Sequence, residues 1–403
     1  MARQQAHPAK GGGERQTVTV WDPVVRLFHW GLVLAVATAL ATGFLAPENW
    51  LDVHLAAGAA VAALLVLRLV WGLAGPSHAR FRAFAYRPGE TLAYARSLVA
   101  GAAPHYRGHN PLGALMVFAL LGLLAALVVS GLVDLGGVEK RGPLAAFTSF
   151  ATGRSFGEIH EFLAFAALGL VALHLAGVAF SSRHEGINLP RAMVTGEKPA
   201  RVPADRPRPA AARTVPALGL VAVFVAAGAG ATAALAGLPG LGVPQEPLDA
   251  IYKRECGDCH IAFHPSLANA ADWAAMMAGL DRHFGEDASL PPETVATLTA
   301  YLTTHAAEAV DTKAANWLRR RDAAEPLSIT ATPFWKRRHA DIPDAVFGSR
   351  AVGARSACGA CHAEGRAPVE LGQNIPLALS GKLRADTPDN LLRLLMDGIR
   401  EPA

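Results

Sequence analysis

Five long apolar blocks in the first 240 residues constrain this chain more than any other feature. They run over Leu27–Ala46, Val53–Trp71, Leu112–Val133, His160–Ser182 and Val215–Leu238, and only Arg68 marks the second with a charge. A bilayer core of ~30 Å takes about 20 apolar residues in a helix, so each block predicts one membrane span. One such block could be a buried helix of a large soluble protein. Five in so short a stretch argue for a membrane. The composition agrees, with 52% hydrophobic and 17% charged residues, less charge than ordinary soluble chains carry.

The arginines orient these spans, because positive residues collect in cytoplasmic links. The N-terminal tail holds Arg3, Lys10, Arg15 and Arg26. The second link holds Arg80, Arg82, Arg87, Arg96 and Arg107 against Glu90. The fourth link holds Arg183, Arg191, Lys198, Arg201, Arg206, Arg208 and Arg213, whereas the first holds only Glu48 and Asp52. The N-terminus and the second and fourth links are therefore expected in the cytoplasm. An odd number of spans then puts everything after Leu238 on the other side. The expected location is a bacterial inner membrane, multi-pass, with the C-terminal domain in the periplasm. The net charge of +4 reflects these links and does not point to nucleic acid. The first 20 residues are polar and the first block lacks a small-residue cleavage site, so no cleavable signal is expected.

The expected organisation is a cytoplasmic tail over 1–19, a four-span domain over 20–200, a linker and fifth transmembrane helix over 201–246, and a soluble helical domain over 247–403. The linker shows as the Pro-, Ala- and Arg-rich stretch Glu197–Pro216. Helical spacing recurs over Asp272–His283, Pro292–His305 and Pro388–Ile399, with no clear strand pattern after Pro247.

The chain has four cysteines, all in two Cys-x-x-Cys-His segments: Cys256, Cys259 and His260, then Cys358, Cys361 and His362. This is the attachment sequence of c-type haem. Two thiols at that spacing reach the two vinyl groups of one porphyrin, and the next residue sits under the iron. A zinc site would want paired cysteines acting together, but these pairs lie about 100 residues apart. Each iron needs a sixth ligand. The candidates are His264, His283, His305, His339, Met276, Met277 and Met396, of which His283 and His339 are the best placed. His264 lies too close to His260 to turn back onto the same iron, and His305 ends a helix, where the dipole alone favours histidine.

Histidines inside spans are functional candidates by default. His29 starts the first span on the inner side and His54 starts the second on the outer side. His160 and His174 share the fourth span. Fourteen residues correspond to roughly 21 Å and nearly four turns, so both project from one face. Depths then match in pairs, His54 with His160 and His29 with His174, as two stacked bis-histidine b haems would require. His78, His105, His109 and His184 fall in cytoplasmic links and are expected to be solvated.

Val20–Trp30, His54, the Trp71–Phe81 segment, His160 and His174 resemble the bacterial cytochrome b561 family, which includes the b-type subunits of membrane nickel–iron hydrogenases. The resemblance covers roughly 17–200. It implies a four-helix bundle with two b haems that exchanges electrons with the quinone pool. Cys256–His260, His283–Glu286, Tyr301–Leu302, Trp335–His339 and Cys358–His362 resemble the periplasmic dihaem cytochrome c family over about 247–365. That resemblance supports ligation by His283 and His339; pairing them with the His260 and His362 haems respectively is simplest, and a crossed arrangement stays open. After Arg366 the chain departs from this family. Thr387–Arg393 and Asp397–Arg400 look more like the middle of a single-haem cytochrome c, and the sequence stops at Ala403 before such a domain would supply its methionine.

The expected fold is all-α: a four-helix transmembrane dihaem bundle, a fifth transmembrane helix and a helical dihaem cytochrome c domain. The expected function is electron transfer between the quinone pool and a periplasmic redox protein through two non-covalent b haems and two covalent c haems, which would make the chain a quinol:acceptor oxidoreductase. One alternative is the cytochrome subunit of a membrane hydrogenase or dehydrogenase complex. Another is a haem-based redox sensor, which would want an attached signalling domain. Expected partners are membrane lipid, quinone or quinol and the periplasmic redox protein, with a homodimer left open.

Overall fold

The computed structural model describes residues 17–45, 50–199, 213–319 and 327–362. Apart from two three-residue strands, the regular structure is helical. The chain divides into two compact units.

The first unit comprises residues 1–129 and 160–229. Its described part begins with β1 (Thr17–Thr19), which pairs antiparallel with β2 (Glu197–Pro199). The first span, α1 (Pro23–Phe44), starts where sequence chemistry places a start: Pro23 takes the first helical position and the Asp22 carboxylate accepts from the Val24 and Val25 N–H groups. Then come α2 (Leu51–Ala74), α3 (Pro88–Val99), α4 (Pro111–Val138), α5 (Phe150–Glu185), α6 (Leu189–Thr195) and α7 (Thr214–Ala236). Ala35, Val61, Leu65 and Leu124 form a buried core among α1, α2 and α4. Most of the span residues stay partly or fully exposed. Leu34 and Phe162 are each 71% exposed, and α7 buries only Ala217. Apolar surface on that scale needs lipid against it.

The second unit comprises residues 130–159 and 230–403. It takes the C-terminal end of α4 and the start of α5, with α8 (Ala250–Cys256), α9 (Ala270–Ala278), α10 (Pro292–Thr304), α11 (Lys313–Leu318), α12 (Pro333–Arg338), α13 (Asp344–Phe347) and α14 (Gly359–His362). Leu298 and Leu302 are wholly buried against Tyr252, Trp273 and Met277. The helices α4 and α5 approach closely at Gly137 and Gly153, where a Cβ on either residue would meet the other's backbone at about 2.5 Å. Between them Lys140 adopts a left-handed conformation, φ 51°. Its ammonium is buried and donates to Thr148 O and the Asp311 carboxylate, both at 2.9 Å. The same carboxylate accepts from the Phe150 N–H at 2.7 Å, so it caps the start of α5 with negative charge.

That cap explains a difference from the sequence expectation. The fourth apolar block begins at His160, but α5 begins ten residues earlier, at Phe150. Arg154, Ser155 and Glu158 make this stretch too polar to register as a span, and the Asp311 cap lies far away in sequence. The α9 helix ends at Ala278, before Gly279, so the expected helix over Asp272–His283 stops short. The expected helix over Pro388–Ile399, like the whole segment after His362, lies outside the described residues.

Candidate haem-binding sites

In the bundle, the His54 and His160 rings lie with centroids 6.1 Å apart, their planes at 75°. Two imidazoles bound to one metal through bonds of ~2 Å hold their centroids roughly 6 Å apart. The other ring nitrogens are also arranged for this role. His54 Nδ1 lies 3.1 Å from Ala39 O and 3.1 Å from Thr42 Oγ1. His160 Nδ1 lies 3.0 Å from Leu127 O. A carbonyl oxygen only accepts, so Nδ1 carries the proton at both rings and the Nε2 lone pair is left for a metal. Gly43 lies against the His54 ring, where a Cβ would come within 3.5 Å.

The other bundle pair, His29 and His174, lies within electrostatic range. His29 Nδ1 is buried and has no hydrogen-bond partner among the described residues.

In the C-terminal region, α8 is started by the Asp249 carboxylate and delivers Cys256 at its end. His260 Nδ1 lies 2.8 Å from Ile261 O, again directing Nε2 outward. His283 belongs to no helix. It opens a tight turn in which the Glu286 N–H donates to His283 O at 3.1 Å. Phe284 (φ 49°) and Gly285 (φ 101°) both take positive φ, as a type I′ turn demands. A phenylalanine there costs of order 1 kcal/mol, so the surroundings must fix the turn. The turn brings the His283 ring to 6.2 Å from the His260 ring, nearly parallel at 28°.

His339 ends α12, with Nδ1 2.9 Å from Trp335 O and its ring stacked on Trp335 at 4.3 Å. Cys361 and His362 lie on α14, but the His362 side chain is outside the described residues, so the structure does not place this pair. Cys256, Cys259, Cys358 and Cys361 are all free of disulfides.

Spacing alone does not select a metal site. His105 and His184, both exposed, also lie 6.1 Å apart, but neither ring nitrogen is tied to a backbone carbonyl in the same way. Conversely, exposed His305 has its Nδ1 on Tyr301 O with no histidine opposite. His54, His160 and His260 combine both features. His264 is a structural residue: its buried Nδ1 accepts from the Ser266 hydroxyl and N–H. Met277 is buried in the core, Met276 packs on it, and Met396 lies outside the described residues.

One expectation fails. His109 is not a solvated link residue. Its ring packs between Trp21 (4.7 Å) and Phe84 (4.6 Å), and its Nδ1 is enclosed without a partner among the described residues. The reason is tertiary. The second link folds back under the bundle, and nothing in the local sequence shows that.

Residues 20–196 match the prokaryotic cytochrome b561 family and residues 252–369 match the dihaem cytochrome c family. The chain joins a cytochrome b561 domain to a dihaem cytochrome c domain. A probable Ni/Fe-hydrogenase B-type cytochrome subunit from Rhizobium leguminosarum bv. viciae is 34% identical over 83 residues; the match takes 17% of this chain and 35% of that relative's length. A dihaem cytochrome c from Shewanella baltica OS155 is 36% identical, with 29% of this chain and 82% of that one covered and a TM-score of 0.24. One from Rhodobacter sphaeroides is 34% identical over 29% of this chain and 93% of that one, also with a TM-score of 0.24. This cytochrome is thus a multi-pass membrane protein of haem electron transfer, with b haems in the bundle and two covalent c haems beyond it. The haems supply the one-electron chemistry, and the chain supplies ligands, spacing and electrostatics.

Proposed function

We propose that this cytochrome carries electrons between the quinone pool and a periplasmic redox protein. The observation that carries the reading is the repeated bis-histidine arrangement, His54–His160 at 6.1 Å in the bundle and His260–His283 at 6.2 Å in the C-terminal domain. Sites closed by two histidines pass electrons and have no position for oxygen. The ligand sets are His29 with His174 and His54 with His160 for the b haems, and His260 with His283 and His362 with His339 for the c haems. Cys256 with Cys259 and Cys358 with Cys361 form the thioether links. The five candidate spans among the described residues, an odd number, support a bacterial inner-membrane protein whose c domain lies in the periplasm.

Anaerobic addition of quinol to the purified full chain tests this. Reduction of both the b and the c bands is expected; bands that stay oxidised contradict it. The similarity to a hydrogenase cytochrome subunit favours a second reading, in which a dehydrogenase partner feeds the b haems directly. That reading predicts reduction by hydrogen only in the presence of a co-purified partner, and no response to quinol.

A further inference from the structure

The arginine-rich end of the bundle holds a basic cluster that the iron ligands do not account for. Arg68 is only 4% exposed, although it lies in a span. Its guanidinium sits over Phe81 (4.5 Å), Phe84 (5.8 Å) and Phe28 (6.0 Å), and NH1 donates to Ala79 O at 3.1 Å. No carboxylate lies within salt-bridge distance of it among the described residues. Phe84 also packs on His109, His109 on Trp21, and Trp21 under the Lys198 ammonium at 5.6 Å. Lys198 is itself 5% exposed. Arg68, His109 and Lys198 are therefore joined through two shared aromatic rings, and the Lys198 ammonium also donates to Gly108 O at 3.5 Å.

The nearby acids are already engaged. Asp22 accepts from the Val24 and Val25 N–H groups and from Trp71 Nε1. Glu185 is within electrostatic range of Lys198 but is not among the influences on Arg68 or His109. Burial, then Arg68 and Lys198, push His109 down to about 3, so its ring is neutral and free to donate one hydrogen bond. Asp22 lies within electrostatic range of Arg68 but forms no ion pair with it among the described residues. A buried guanidinium is costly without a directly paired anion, and carboxylates are its best-matched partners. Two contacts lead from the cluster toward the inner ligand pair. Arg68 reaches the ring of Phe28, next to His29, and His109 lies within electrostatic range of His174.

We infer that Arg68, with Lys198 and His109, receives the propionate carboxylates of the b haem held by His29 and His174. This rests on the bis-histidine reading of that pair. It gives Arg68 a positioning and potential-setting role: a fixed cation beside the propionates favours the reduced iron, because reduction removes one positive charge from the haem.

The test uses the full chain in nanodiscs, with haem labelled by 13C at the propionate carboxyls. Arg68→Gln, Arg68→Lys and Lys198→Gln are compared with the parent by haem content, by midpoint potentials of the two b haems and by reduced-minus-oxidised infrared spectra. With two b haems bound, Arg68→Gln should lower the potential of one b haem only and shift the label-sensitive carboxylate bands. Arg68→Lys should restore most of the potential, and Lys198→Gln should show a smaller shift of the same sign. Should Arg68→Gln lose its inner haem, Lys198→Gln decides through the same bands. Unchanged bands and potentials in both Gln variants overturn the inference while leaving the b-haem reading intact. So does a potential that responds instead to replacing anionic by neutral lipid, which would assign the cluster to a lipid phosphate. A parent protein lacking the second b haem overturns both.

Discussion

The membrane bundle and the C-terminal domain bring two imidazoles to almost the same separation, 6.1 Å for His54–His160 and 6.2 Å for His260–His283, by different means. In the bundle both histidines ride on long helices, α2 and α5, whose depth in the bilayer sets their height. The grip on a haem there is non-covalent, so the ligands and the surrounding walls do all the holding. In the C-terminal domain one histidine follows a cysteine pair and the other hangs from a strained type I′ turn. The thioether links proposed there hold the haem whether or not the second histidine is present. Nearly equal ring spacing thus rests on unequal scaffolds, and the two should fail differently.

The largest expected effect follows from that difference. His160→Ala should remove about half of the extractable b haem and leave the covalent haem unchanged, measured by pyridine haemochrome spectra. Full retention of b haem would break the His54–His160 pairing. His283→Ala should be milder: the c haem stays attached, and one c centre loses its low-spin bis-histidine signature in electron paramagnetic resonance. Release of haem in this variant would erase the contrast between the two scaffolds.

A third change sharpens the contrast through stability. Lys140 is buried and Asp311 keeps 29% of its side chain exposed. Removing one partner of a fully buried pair costs about 3–5 kcal/mol, and this partial exposure reduces the expectation for Lys140→Met to about 1–3 kcal/mol. Burial pushes the Asp311 carboxyl up, but hydrogen bonds from Lys140, the Phe150 N–H and Asn316 outweigh it and hold the group below the usual carboxylate range. A lowered folded-state value means stability that is present at neutral pH and lost as pH falls through that value. The thermal midpoint of the parent should therefore fall on acidification below about pH 4, and that of Lys140→Met should fall less. An unaltered acid dependence would remove the Lys140–Asp311 pair from the account. The smallest effect is expected for Thr42→Val. Ala39 O still holds His54 Nδ1, so haem should remain, with about 0.5–1.5 kcal/mol lost for the missing hydrogen bond.

The two regions were also unequally legible from sequence. The spans are placed within a few residues because length and apolar content are the quantities a bilayer selects. The depth-matched histidines follow from helix geometry. The exception, the early start of α5, depends on Asp311, more than 160 residues beyond Phe150, and no local pattern carries that. In the C-terminal domain the Cys-x-x-Cys-His motifs announce their own chemistry. The position of His283 on a turn, not on the helix that its spacing suggested, depends on Gly279 ending α9 and on Phe284 accepting a positive φ. The enclosed His109 and the aromatic cage of Arg68 were the least legible. Both arise where a link folds back onto the bundle, and sequence reads such links as exposed.

The central claim is that one chain holds four bis-histidine haems, two by ligands alone and two by covalent links as well. Acid–acetone extraction of the purified chain, with pyridine haemochrome spectra of the extract and the residue, tests it most directly. Two haems per chain should enter the extract with b-type spectra and two should stay on the protein with c-type spectra. A single extractable haem, or covalent haem at only one of the two cysteine motifs, would contradict the account.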